Sequence, residues 1–408
     1  MFSGTVFIPM QLGFDINTAI FFSGVSTLLF FVVNRGRVPA YLGCSGSAVA
    51  AIMSISGYKY QPGVPNDNIA AVQGALIVLG IVYAAISLIV HAFGHKWVEA
   101  IMPPVVTGAI ICGIGLHLMT SSFQQATSSF FDGVMAFVTV VVIMFFSVYA
   151  PSPFLRRLCI LLGTIVSYVI YLICGLVNAG PRIDFSNIVA QPWVRPPIVH
   201  WPVVFQGQAI STMIPLVIVF LAENMGHLKA LSAITETSLE KYLGNAYMGD
   251  ALSIILCGSV GSPPLTTYAE NMIVLSVTRI YSPLVIVSAA FIAIVLGFFS
   301  KFGAVVSSIP AGVFGGLTIV LYTIIAITGV RIWMDNKVDF SDQRNMFVGG
   351  IPVAIASVMQ TQLKINHFEL DGIGVSTFLA LFLYQLLFAG EHIKTWLRQR
   401  RQLSDTLP

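Results

Sequence analysis

The chain has 408 residues, of which 56% are hydrophobic and 9% charged, and carries a formal net charge of +3. Its mean hydropathy is +0.87. A soluble protein cannot hide that much apolar surface, so the composition excludes a water-soluble fold and specifies an all-α polytopic membrane protein. Cys44, Cys112, Cys159, Cys174 and Cys257 all lie in apolar stretches without CxxC spacing, which reads as small core residues rather than a metal site or a disulfide frame. The opening MFSGTVFIPMQLGFD lacks the basic region of a cleavable signal peptide.

About fourteen apolar spans follow in order, near 2–13, 18–34, 40–57, 70–94, 101–119, 133–150, 157–177, 209–234, 245–260, 264–279, 283–305, 309–330, 345–362 and 374–393. A Pro- and Trp-rich stretch, 178–205, separates seven spans from seven and reads as an interfacial loop. Positive charge tests the count, because cytoplasmic loops are enriched in Lys and Arg. With the N-terminus inside, 15 of the 20 Lys and Arg fall on the cytoplasmic side; the remaining five are Lys59, Arg182, Arg195, Lys301 and Lys364. Both termini are therefore expected in the cytoplasm, the C-terminal one as a basic tail, 394–408, and the membrane as a plasma (inner) membrane.

Two spans are not ordinary helices. The third opens VPAYLGCSGSAVAAI, with six small residues among the seven from Gly43 to Val49, and the tenth opens SPPLTTYAEN. Each joins a short extended stretch to a half-helix, and each is third in its half. Interruptions at matching positions of two halves indicate an inverted-repeat transporter with its site at the breaks. A repeat of seven crossings has to be inverted.

Three carboxylates lie inside apolar spans: Glu223, Asp250 and Glu270. A carboxylate at the centre of a membrane helix costs on the order of 2.5–3.5 kcal/mol on insertion scales, so such groups usually face a cavity and serve function. Glu223 and Glu270 read as functional. Asp250 either joins the site or orients the backbone or a side chain of span ten. His227 lies four residues after Glu223, on the same helix face. That pair reads as a proton relay or gate rather than half of a metal site, since no second Glu/His pair completes one. A half-helix starting near Asn271 leaves its first amides without intrahelical partners, and Gly46, Ser47 and Ala48 offer the same at the other break. Carboxylate acceptors among free N–H donors suit a small planar ligand with both N–H and C=O groups, such as uracil, and repel a simple anion. No nucleic-acid partner and no cofactor beyond a coupling proton are expected.

At RVPAYLG, AENMGHL, GDALS, TTYAENMIVLSVTRIYS and ITGVRIW the chain resembles the nucleobase–ascorbate transporters (nucleobase:cation symporter-2), on the uracil-permease branch, over nearly its whole length. In span ten, Glu270, Asn271, Thr278 and Arg279 match the family motif. The resemblance implies fourteen spans in two inverted repeats, a core (about 1–94 and 209–305) and a gate (about 101–177 and 309–393). It implies proton-coupled nucleobase uptake by an elevator motion, by a non-enzyme, as a homodimer with the gates in contact. Carried over, Glu223 and Glu270 hold the base, Tyr268 and Ala269 add backbone or packing contacts, and Ser47 and Ala48 line the opposite break. His227 tunes Glu223 and takes part in proton coupling, with Asp250 and Asn271 beside it. Glu at the first motif position suits a pyrimidine, whereas Gln suits xanthine or urate, because a carboxylate only accepts hydrogen bonds and an amide also donates.

Three departures bear on substrate. Ile273 stands where the motif has Gly. Gly46-Ser47-Ala48 stands where uracil carriers tend to have an aromatic, which keeps a purine or xanthine carrier as the alternative. Span one, at about twelve residues, reaches only ~18 Å against a ~30 Å hydrocarbon core, which suggests a late start codon or a truncated, inactive paralogue. An intramembrane aspartyl protease, faintly suggested by MGDALS, would need a second Asp in an apolar span. A sulfate-permease-type anion exchanger would lack the paired Glu.

Overall fold

Runs of Leu, Ile, Val, Phe and Ala have no water to satisfy their backbone in a bilayer, so they bond internally as helices. A computed structural model describes the chain except residues 1, 59, 62–63, 269–270, 273–274, 276–277, 362, 366–367, 371 and 405–408, together with the side chains of 2–3, 121, 157, 364–365, 368–370 and 389–404. The first half comprises α1 (Phe2–Gln11), α2 (Ile16–Val33), strand β1 (Leu42–Cys44), α3 (Val49–Ser56), α4 (Ile69–Phe93), α5 (Lys96–Ile101), α6 (Pro104–Ala126), α7 (Phe130–Tyr149), α8 (Pro153–Arg157) and α9 (Cys159–Leu176). A connecting segment carries α10 (Ser186–Ala190). The second half comprises α11 (Gly207–Met213), α12 (Leu216–Thr235), α13 (Leu243–Val260), strand β2 (Leu265–Thr267), α14 (Pro283–Gly297), α15 (Ser300–Ser307), α16 (Ala311–Asp335), α17 (Gln343–Val358), strands β3 (Leu363–Ile365) and β4 (Phe368–Leu370), and α18 (Gly372–Ser404). Among the described residues, seven helical stretches are long and apolar enough to cross a membrane, and α14 with α15 would make an eighth if counted as one.

The main helix pairs recur when the halves are exchanged. The α4·α13 contact has its counterpart in α14·α2, α6·α17 in α16·α7, α7·α9 in α17·α18, and α1·β1 in α12·β2, while α6·α16 and β1·β2 map onto themselves. β1 and β2 run antiparallel, with Leu42 opposite Thr267, Gly43 opposite Thr266 and Cys44 opposite Leu265. Antiparallel pairing of equivalent elements is what inverted repeats require. Asp15, Tyr60, Gln61, Arg195, His200 and Ser300 share one cavity, whereas Arg37 meets Tyr242 and Lys229 meets Glu99 elsewhere.

Local chemistry sets the element ends. Asp15 caps α2, its carboxylate accepting from the Thr18 amide at 2.8 Å. Pro104, Pro153 and Pro283 open their helices, where a missing N–H costs nothing. Span eleven, expected as one segment over 283–305, is instead two helices bent by 81°. The Phe298 carbonyl leaves the ladder of α14 and accepts from the Arg195 amide at 2.9 Å, while the Phe299 carbonyl accepts from Asn17 Nδ2 at 2.7 Å and starts the next helix by accepting from the Phe302 amide at 3.0 Å. Helix α5 and the β3–β4 hairpin lie outside the predicted spans as extra elements.

Helices α6 and α16 approach to backbone contact. A Cβ added at Gly329 would collide with the backbone of Cys112 and Gly108, whereas one at Gly350 would meet open space. Gly329→Val is expected to cost about 1–3 kcal/mol through overpacking and to lower the melting temperature of the detergent-solubilised protein. Gly350→Val should leave it unchanged.

Candidate substrate-binding site

The site begins where helix formation fails. Pro263 and Pro264 cannot donate to a helical ladder, and Gly43, Cys44, Ser45, Gly46 and Ser47 are weaker helix formers than the apolar residues around them, Gly most of all. Both stretches extend and satisfy one another: the Ser45 amide donates to the Pro264 carbonyl at 3.0 Å beyond the three-residue ladder. After Ser45 the chain makes a tight turn, Gly46–Ala48, before α3. The opening amides of that turn precede any intrahelical acceptor. Gly46 lets this turn approach α16, since an added Cβ would lie 3.2 Å from Ile325 Cδ1.

Helix α12 brings Glu223 to the break. Two buried tyrosines fix the preceding turn: Tyr83 Oη donates to the Phe220 carbonyl at 3.4 Å and Tyr247 Oη to the Leu221 carbonyl at 3.0 Å. Glu223 is half-buried. Its Oε2 accepts from Ser45 Oγ at 3.2 Å and from Ser47 Oγ at 3.0 Å. The carboxylate is thus oriented by one hydroxyl just before the turn and one within it.

A second polar layer lies behind it. Asp250 is fully buried. Its Oδ2 accepts from Asn224 Nδ2 at 2.5 Å and from the Thr267 amide at 3.4 Å. Thr267 Oγ1 and His227 Nδ1 share a hydrogen bond at 3.1 Å. Thr267, the last residue of β2, therefore ties α13 to α12 through its backbone and its side chain. Asn271 Nδ2 donates to the Pro39 carbonyl at 3.3 Å, tying the start of the second half-helix to the entry of β1. The Tyr268 ring packs over Gly43 and Gly4, which have no side chain to displace it.

The structure thus brings together Glu223, Ser47, Ala48, Tyr268, His227, Asp250 and Asn271. Ala269, Glu270 and Ile273 lie outside the described residues. The contacts of Asp250 are to a strand amide and a helix side chain, which is the orienting alternative read from the sequence. His227, expected to tune Glu223, places its Nδ1 against Thr267 Oγ1. Sequence reading missed Ser45, Asn224 and Thr267. The Asn after Glu223 was a usable signal, because a second buried polar group beside a carboxylate needs its own partner. Among the described residues, no three His, Cys, Asp or Glu side chains group as a metal site.

Asp250→Ala would strand the Asn224 amide and the Thr267 N–H, at about 1–3 kcal/mol for buried groups left unpaired. Because both variants break one contact, Asn224→Ala/Asp250→Ala should unfold at a temperature close to that of Asp250→Ala alone, not at the sum of the two shifts. Thermal unfolding of the four purified proteins measures this.

Comparison with known proteins places this geometry. Residues 1–365 match the Permease family, in its xanthine/uracil permease grouping. "Putative pyrimidine permease RutG" of Escherichia coli K12 is 41% identical over 388 residues, covering 95% of this chain and 87% of that one. The uracil permease of Bacillus caldolyticus is 33% identical over 401 residues, covering 95% and 89%. Among solved structures, the transmembrane domain of the cyanobacterial bicarbonate transporter BicA superposes with a TM-score of 0.60 at 16% identity, covering 93% of this chain and 92% of that one. SLC26A9 gives 0.67 at 12% identity, covering 94% and 63%. At such low identity these two establish only the shared fold, built of a core and a gate. The chain belongs to the xanthine/uracil permease (nucleobase:cation symporter-2) family, whose members are membrane transporters and not enzymes.

Proposed function

We propose that the protein carries a nucleobase across the plasma membrane, uracil or a related pyrimidine first, by proton symport, with Glu223 and Glu270 binding the base. The observation that carries this reading is the Glu223 carboxylate, held by Ser45 and Ser47 at the paired breaks. An oriented acceptor beside the opening amides of a turn matches the N–H and C=O edges of a base. The names of the relatives point the same way. Tyr268, Ala269, Ser47 and Ala48 would frame the base, while His227, Asp250 and Asn271 would connect the site to proton movement. In this reading the core is residues 1–94 and 209–305 and the gate is 101–177 and 309–393. The core slides as an elevator against a gate that dimerises, and both termini are cytoplasmic. Gly46-Ser47-Ala48, which supplies no aromatic face at this break, weakens the choice of uracil over another base and keeps a purine or xanthine carrier as the second reading.

Radiolabelled uracil and xanthine uptake tests it, in cells lacking their own carriers and at acidic and near-neutral external pH. Uracil uptake should be faster at acidic pH and collapse with a protonophore. No uptake of either base by well-expressed protein contradicts the transport reading, and xanthine uptake alone reverses the substrate choice. Ser45→Ala/Ser47→Ala, which removes both hydroxyls that orient the Glu223 carboxylate, should raise the half-saturating uracil concentration about tenfold or more, since losing even one hydrogen bond to a charged group is worth about that much. Glu270→Gln should abolish uracil uptake or shift preference toward purines. Wild-type kinetics in Glu270→Gln would remove Glu270 from the site.

A further inference from the structure

The segment joining the two halves is bound to the helices that flank the breaks. Lys301 Nζ donates to the Ile188 carbonyl at 3.1 Å, and Ser300 Oγ bonds to the Pro192 carbonyl. The Arg195 amide donates to the Phe298 carbonyl at 2.9 Å, and the Arg195 guanidinium pairs with Asp15 at 2.6 Å. The Ile198 amide donates to Thr18 Oγ1 at 2.9 Å. The His200 amide donates to the Val260 carbonyl at 3.2 Å, its carbonyl accepts from Gln73 Nε2 at 3.1 Å, and the Val204 amide donates to the Ala70 carbonyl at 3.1 Å. These partners are the start of α2, the start of α4, the end of α13 and the α14–α15 bend. One strand of chain therefore crosses the same end of four helices, the two symmetry-related pairs α4·α13 and α2·α14.

With its polar groups engaged on the helix ends, this strap exposes its apolar ones. Trp193 and Trp201 are each 72% exposed, and Val189, Val194 and Phe205 are exposed beside them. Exposed large apolar side chains concentrated on one segment mark a partner. The patch continues a lipid-facing surface: Leu284, Phe291, Ile292 and Val295 project from α14, and Phe299 follows at the bend. Lys301 Nζ lies 5.1 Å above the Trp193 ring. Indoles beside a lysine at the end of a membrane helix are the chemistry of the headgroup layer, where a ring is half in hydrocarbon and half in water.

We propose that residues 188–205 form a strap fixed to α2, α4, α13 and α14 and docked, through Trp193, Val194, Trp201 and Phe205, on the lipid headgroup layer at that end of the molecule. The contact sets the depth and tilt of the body that carries β1, β2 and Glu223.

Tryptophan fluorescence in phosphatidylcholine vesicles, with and without bromine on the upper acyl chain, tests this. Trp193→Phe/Trp201→Phe is compared with wild type, and the difference reports those two of the five tryptophans. That difference emission should be quenched about twofold or more by the brominated lipid and little by aqueous iodide, as for indoles at an interface. Quenching by iodide but not bromine would show that the patch faces water. Quenching by neither would show that protein covers it, as in a contact between copies. Both results overturn the proposal. Each single variant carries the same readout if the double variant does not fold.

Discussion

Two interrupted helices meeting inside a bilayer are the constraint on which this protein depends. Extended backbone at membrane depth is tolerated only where protein satisfies it. Here β1 and β2 satisfy each other over three residues, from two halves of the chain more than 200 residues apart. The pairing holds extended backbone and the Gly46–Ala48 turn within a molecule that is mostly apolar helix. Neither break is stable without the other, so the binding chemistry and the inverted-repeat architecture are one feature.

The polar residues around that seam divide by role. Glu223 stands in front, oriented by serines of one break. Asp250, Asn224 and Thr267 stand behind and hold the other break to α13. Because Thr267 also meets His227, a change in the charge or hydrogen bonding of His227 is felt at the strand that backs the site. This is a short physical route from a titratable side chain to backbone geometry. On the opposing surface, Tyr322 of α16 bonds to Gln11 of α1. That buried contact joins an element assigned to the core with one assigned to the gate, and sliding between them would have to break it.

Much of the fold was legible because it rests on local rules. Apolar length, Pro263-Pro264 and the small-residue run at 43–48 marked the helices and both breaks, and the third-of-seven positions marked the repeat. What was not legible is set by contacts distant in sequence. No pattern announces that Ser45 pairs with Pro264, or that Thr267 receives Asp250 and His227 together. The bend at Phe298 was missed for the same reason: the run 283–305 is apolar enough to be one helix, and the groups that end it, Asn17 and the Arg195 amide, come from elsewhere in the chain. In the site, Glu223 was visible as a misplaced charge and Ser47 through its place at the break, whereas Ser45 looked like an ordinary small residue.

The central claim is that the paired breaks and Glu223 form the base-binding site. An experimental structure determined with uracil bound tests it most directly. The account predicts the planar base between residues 45–48 and Glu223, within hydrogen-bonding distance of the Glu223 carboxylate and of turn amides. A base found elsewhere, for example in the roughly 400 Å³ cavity lined by Asp132, Arg182 and Asp184, would contradict it.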